Sequence, residues 1–220
     1  MAPLLIFDLD GTLIDSKKDI ANSLNFALEE EGMPTLPHEQ IEALVGHGAR
    51  TLVRDALGHP SEEKVGRVFQ SFWRRYLDHC LDETHLYPGV ARFLASHADW
   101  PMAVVTNKPE VFSQKILEGL KVRSHFRWLI GGDTLTVQKP DPAVFDPIFQ
   151  EWRGEGPGLM VGDSHVDIEC GRAAGLLTCA VTYGFRTREE LVECRPDFLI
   201  ESFSDFDDLP FFKARAEAME

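Results

Sequence analysis

The chain has 220 residues, 44% hydrophobic and 26% charged, the proportions of a soluble globular protein that buries a core without disulfide or metal staples. Acidic residues outnumber basic ones 36 to 22, a formal net charge of −14, which argues against a general affinity for nucleic acid or an anionic membrane because both are polyanions. No apolar run approaches the roughly 18 residues of a membrane span, and Cys80, Cys170, Cys179 and Cys194 show no C-x-x-C spacing, so they read as reduced thiols of a cytoplasmic protein.

The first run, Leu4-Leu5-Ile6-Phe7, lacks the basic flank of a signal peptide and stops at Asp8-Leu9-Asp10-Gly11-Thr12. A short apolar run ended by a glycine turn reads as a buried strand of a parallel sheet. Ser16 is placed to cap a helix with Ile20, Leu24 and Leu28 four apart. Gly32 and the Pro34–Pro37 stretch end it. A second helical pattern (Ile41, Leu44, Val45, Leu52, Val53, Ala56, Leu57) breaks at Gly46-His47-Gly48. Ser61 begins a third, with Val65, Val68, Phe69, Phe72 and Tyr76 on one face, expected to be core. Residues 16–86 are thus expected to be helical without a strand.

From Tyr87-Pro88-Gly89 short strands return: Met102–Val105, Trp128–Ile130, Leu159–Val161, Cys179–Val181 and Phe198–Ile200. Helical stretches lie near 110–120, 142–152 and 165–174, with Gly175 ending the last. Asp205, Asp207 and Asp208 read as a solvated turn before a final helix. Alternating strands and helices imply an α/β fold, a Rossmann-like doubly wound parallel sheet. The expected division is a core of residues 1–15 and 87–220, with a small α-helical cap, residues 16–86, inserted after the first strand.

Ligands in open α/β sheets bind beyond the carboxyl ends of the strands. The polar groups expected there are Asp8 and Asp10, Thr106-Asn107, Lys139 before Pro140, and Asp163-Ser164 with Asp167 one helical turn on. Asp163 and Asp167 also suit an N-cap and a first-turn acid. Clustered carboxylates repel unless a cation sits among them, and oxygen-only ligands suit Mg²⁺ bridging to a phosphate. Such a set permits a carboxylate nucleophile, a second carboxylate as general acid and base, and a hydroxyl and an ammonium for the phosphoryl oxygens.

The motifs D-x-D-G-T at Asp8 to Thr12, Thr106-Asn107, Lys139-Pro140 and Gly162-Asp163-Ser164-x-x-Asp167 resemble the four motifs of the haloacid dehalogenase superfamily, in order and over nearly the whole chain. The resemblance implies that Asp8 forms an aspartyl-phosphate. Asp10 is then the general acid/base and lends its backbone carbonyl to Mg²⁺, with Lys139 as the catalytic ammonium. It makes Asp163 a metal ligand and has Asp167 support the metal directly or through water. It also implies a phosphatase, because the superfamily's dehalogenases lack the acid at the position of Asp10. The segments Asp10–Ser16, Val45-Gly46-x-Gly48, Tyr87–Val90, Val104–Pro109 and Thr182-Tyr183-Gly184 are similar to phosphoglycolate phosphatases. On that resemblance Gly46–Arg50 is a loop over the site, with His47 or Arg50 meeting a substrate carboxylate and Thr106 and Asn107 binding the phosphoryl group.

The reading is Mg²⁺-dependent hydrolysis of a small phosphorylated metabolite, 2-phosphoglycolate first, by a monomer or homodimer. A phosphatase or mutase for another sugar phosphate, a pyrophosphatase, and a non-catalytic binding module on the same fold stay open as alternatives.

Overall fold

The computed structural model describes residues 2–58, 60–152 and 158–210. Strands β1 (Leu4–Phe7), β4 (Met102–Val105), β5 (Trp128–Ile130), β6 (Gly158–Gly162), β7 (Leu177–Val181) and β8 (Phe198–Ile200) form one parallel sheet in the order β5-β4-β1-β6-β7-β8. β1 lies between β4 and β6, with Phe7 level with Val104 on one side and Val161 on the other. The chain winds from β1 outward to β5 and then returns to begin the other half at β6. The order therefore reverses beside β1, where α/β sheets bind ligands.

Side chains alternate across the sheet with period two. Leu5, Phe7, Val104, Leu159, Val161 and Cys179 join a cluster on one face, and Leu4, Ile6, Ala103, Val105, Trp128, Ile130 and Met160 join another on the opposite face. Helices α5 (Val90–Ser96), α6 (Glu110–Gly119), α7 (Asp146–Glu151), α8 (His165–Ala173) and α9 (Arg188–Glu193) connect the strands. Gly175 takes a left-handed turn just past α8, at φ +73°.

Between β1 and α5 lie α1 (Lys17–Glu30), α2 (His38–Ala43), α3 (Ala49–Ala56) and α4 (Glu62–His79). The break expected at Gly46-His47-Gly48 separates α2 from α3. Ile20, Leu24 and Leu28 of α1 are buried together with Val65, Val68, Phe72 and Tyr76 of α4. This cluster continues into the sheet's own core: Trp73 and Tyr76 pack on Phe112 of α6 with ring centroids 4.3 and 5.0 Å apart.

Three expectations need correction. The 16–86 block does contain a strand: β3 (His85–Leu86) pairs antiparallel with β2 (Ile14–Asp15). Two residues per strand are too few to show a period, and the pairing joins the chain entering the block to the chain leaving it. Ser16 stands at the N-cap of α1, but its hydroxyl donates to Asp10 Oδ1 (2.5 Å) and accepts from no helix N–H. The 205–208 acids are not only a solvated turn. They lie in a 3₁₀ helix, Phe203–Asp208, whose Phe203 and Phe206 pack on Phe7 and Phe93. Asp205 accepts from the N–H groups of Glu201 and Ser202. The helix expected after it lies outside the described residues.

Cys80, Cys170 and Cys179 are buried and Cys194 is partly exposed, all four as free thiols. Burial raises each thiol above its usual range, that of Cys170 to about 12. Thiolates are the reactive form. The native protein should therefore label at one thiol, Cys194, with a disulfide reagent, and the unfolded chain at four. Rapid labelling of two or more thiols in the native state would contradict this burial.

Candidate active site

The carboxyl ends of three adjacent strands deliver three of the expected groups. Asp8 follows β1, Thr106 follows β4 and Asp163 follows β6. Since β4, β1 and β6 are neighbours, these residues converge by topology. Asp167 comes from the first turn of α8, whose first cap residue is Ser164 rather than Asp163. Ser164 donates to Asp167 Oδ2 through its backbone N–H (3.1 Å) and its hydroxyl (2.6 Å). That leaves Asp163 outside the cap and turned into the site. Its Oδ2 accepts from the Phe185 N–H at 2.7 Å.

One ligand oxygen from each of Asp8, Asp163 and Asp167 lies within 4.8 Å of the others. Lys139, 5% exposed, puts its Nζ 2.6 Å from Asp167 Oδ1 and 2.9 Å from Asp8 Oδ1. Burial lowers the affinity of Lys139 for its proton, but the two carboxylates more than offset this and hold it above the usual lysine range. Burial pushes Asp8 up to about 6, with Lys139 opposing and Asp167 and Asp10 adding to the rise. Burial, then Asp167 and Asp8, push Asp163 well above the usual carboxylate range.

Asp8, Asp163 and Asp167 bring three carboxyl groups to one ammonium, that of Lys139. An oxygen-only donor set with more carboxyl groups than cations suits a hard divalent cation such as Mg²⁺, which would favour the charged forms that burial disfavours at Asp8 and Asp163. The residues present therefore fit such a group.

A glycine turn holds this geometry. Gly11 sits at φ +80°, a conformation that costs an L residue about 1–2 kcal/mol, and a Cβ there would stand 2.0 Å from Asp163 Oδ2. Gly184 also abuts Asp163, a Cβ there falling 2.3 Å from Asp163 Cβ. Gly11→Ala should displace the Asp163 carboxylate. Misplacement by about 1 Å costs on the order of 100-fold in rate. A variant with wild-type turnover and an unchanged urea midpoint would refute the close fit.

The remaining expected residues divide. Asn107 is buried, but its amide faces protein. Oδ1 accepts from the Lys139 N–H at 3.0 Å, and Nδ2 donates to Lys139 O (3.0 Å) and Gly46 O (2.9 Å). It clamps the Lys139 segment and the Gly46 loop. Thr106 lines the cavity above Asp8 and accepts from the Lys108 N–H at 3.2 Å. His47 and Arg50 are not brought to that cavity. Arg50 pairs with Glu62 at 2.9 Å and lies over Phe69, beside a neighbouring groove. His47 packs on His165 with rings 5.7 Å apart. Both side chains are exposed.

The cavity instead receives two cations that sequence reasoning left out. Lys108, directly after Asn107, contacts Asp10 Oδ1 and Oδ2 at 2.9 and 3.0 Å and donates to the Tyr76 hydroxyl at 2.6 Å. Arg186 lines the same cavity and donates to Val45 O. Tyr76, expected as plain core, is buried as such but brings its hydroxyl to the site. Ile20, Val45, Leu52, Phe72 and Phe112 make the rest of the wall apolar.

Comparison with known proteins gives the family. The family model described as "Haloacid dehalogenase-like hydrolase" matches residues 5–181. A protein of Pseudomonas aeruginosa named phosphoglycolate phosphatase 1 is 38% identical over 213 residues, covering 92% of this chain and 77% of that one. A phosphoglycolate phosphatase of Aliivibrio fischeri is 34% identical over 210 residues, covering 91% and 92%. A crystal structure from Haemophilus somnus, described as a predicted phosphoglycolate phosphatase, superposes with a TM-score of 0.85 at 29% identity, covering 94% of this chain and 97% of that one. With most of its length matched, and its motif residues gathered at one sheet edge, this chain belongs to the haloacid dehalogenase-like hydrolase family.

Proposed function

We propose that the chain hydrolyses a small phosphomonoester, 2-phosphoglycolate foremost, with Mg²⁺ and through an aspartyl-phosphate on Asp8. The observation that carries this is the cluster of Asp8, Asp163 and Asp167 around Lys139 at the point where the strand order reverses. Asp8, Asp163, the Asp10 backbone carbonyl and Asp167, directly or through water, are the groups assigned to the ion. When bound, it supplies positive charge to the phosphoryl oxygens.

The chain's own residues do the rest. An Asp8 carboxylate oxygen attacks phosphorus, the ester P–O bond breaks, and Asp10 gives its proton to the leaving oxygen. Water then attacks the phosphorus of the aspartyl-phosphate, Asp10 takes the water proton, and the bond to Asp8 breaks to release phosphate. Lys139 and the Thr106 hydroxyl hold charge and position on the phosphoryl group. Asn107 acts by clamping Lys139. Residues 16–86 are assigned as a cap over a core of 1–15 and 87–220, excluding bulk water during transfer. The four free thiols fit a reducing compartment, and we assign the chain to the cytoplasm. No helix among the described residues is long and apolar enough to cross a membrane.

The apolar wall favours a compact leaving group over a sugar, whose hydroxyls need buried partners. A panel of phosphorylated metabolites assayed with Mg²⁺ and with chelator tests the reading. Phosphate release from 2-phosphoglycolate, abolished by chelator and restored by Mg²⁺, is expected. Release from no ester, or isomerisation of a sugar phosphate without release, would overturn it.

A further inference from the structure

We propose that Lys108 determines specificity by reading a carboxylate on the leaving group, so that the preferred substrates are phosphate esters of short hydroxy acids. The inference rests on the phosphatase reading above. Among the described residues, the cations lining the cavity are Lys108 and Arg186. Arg186 reaches across to Val45 O, tying the loop after β7 to the segment before α3. Lys108 is 7% exposed, and its ammonium lies between Asp10 and Tyr76.

Reach is the first argument. A general acid must come within about 2.6–3.2 Å of the oxygen it protonates. Lys108 Nζ is 2.9 and 3.0 Å from the two carboxylate oxygens of Asp10. The ammonium therefore stands within roughly 6 Å of the leaving oxygen. A carboxylate one carbon beyond that oxygen falls into this gap.

Surroundings are the second argument. Lys108 and Arg186 share the cavity with the apolar side chains of Ile20, Phe72 and Phe112, and the Lys108 ammonium is the one that contacts Asp10. A leaving-group carboxylate brings an anion to that ammonium, and a neutral leaving group brings none.

The test compares kcat/KM for 2-phosphoglycolate and for ethyl phosphate, which has the same two-carbon chain without the carboxylate. Wild type should prefer 2-phosphoglycolate. Lys108→Met should lower that preference by roughly 10- to 100-fold, the loss of one hydrogen bond to a charged group. Lys108→Arg should keep most of it, and Arg186→Gln should leave the ratio unchanged. Lys108→Gln gives the same comparison if the methionine variant does not fold. A Lys108 variant that loses activity equally on both esters would make Lys108 only a positioning residue for Asp10 and overturn the proposal. So would a ratio that collapses with Arg186→Gln instead, or a wild type without preference. In these cases the phosphatase reading still stands; it falls only if wild type releases phosphate from neither ester nor any other.

Discussion

Asp8→Asn should lose turnover by roughly 10⁴- to 10⁶-fold, the scale seen when a covalent nucleophile is removed from a unit that acts together. An amide oxygen cannot attack phosphorus and leave again as a carboxylate does. The same change should not harm the fold. Asn matches Asp in shape, and burial already disfavours the Asp8 charge, whose pKa stands at about 6 with Asp167 and Asp10 adding to the rise. Lys139 keeps Asp167 as its partner at 2.6 Å. The thermal midpoint without metal should therefore stay within a few degrees of wild type. Its rise on adding Mg²⁺ should shrink, because one carboxylate of the ion's site is gone. Wild-type turnover in purified Asp8→Asn would end the aspartyl-phosphate mechanism. A collapsed midpoint would instead mean that Asp8 holds the fold, and lost activity would then say nothing about chemistry.

The parts of the site visible in the sequence were those fixed by local rules. An apolar run that stops at a polar residue marks a strand end, and parallel strand ends meet on one edge, so Asp8, Thr106 and Asp163 are legible in the sequence. Lys108 was not, although it adjoins Asn107. Its meaning comes from Tyr76, 32 residues earlier, and from Asp10, 98 residues earlier. Helical periodicity places Tyr76 on the buried face of α4 but is silent on which polar atom its hydroxyl meets. The same blindness misassigned Ser16, whose spacing suits a cap while its hydroxyl serves Asp10. His47 and Arg50 show the converse. The glycines mark the break between α2 and α3, but the direction of the side chains beside it is set by the local backbone, which spacing does not fix. The β2–β3 pair escaped because it is a contact between the two ends of an insertion and has no local signature.

Lys139→Met should be the most destabilising of the single changes in the site. The ammonium bridges Asp167 and Asp8, and its side chain is 2% exposed. Removing one member of a buried ionic group leaves uncompensated charge, at a cost of about 3–5 kcal/mol. For a chain of this size each kcal/mol moves the midpoint by about 2–4 °C, so the fall without metal should be on the order of 10 °C. Turnover should drop by roughly 10²- to 10³-fold, the usual effect of deleting one group that meets transition-state charge. Two further variants separate these effects. Adding Asp167→Asn removes one of the stranded carboxylates and should recover part of the midpoint without recovering activity. Asn107→Ala keeps the ammonium but removes the three hydrogen bonds that hold its backbone and the Gly46 loop. It should cost less stability than Lys139→Met, yet still lower turnover, because a misdirected ammonium serves the phosphoryl group poorly. Midpoints of Lys139→Met and wild type within 2 °C of each other would show that the cluster is not held together by this lysine.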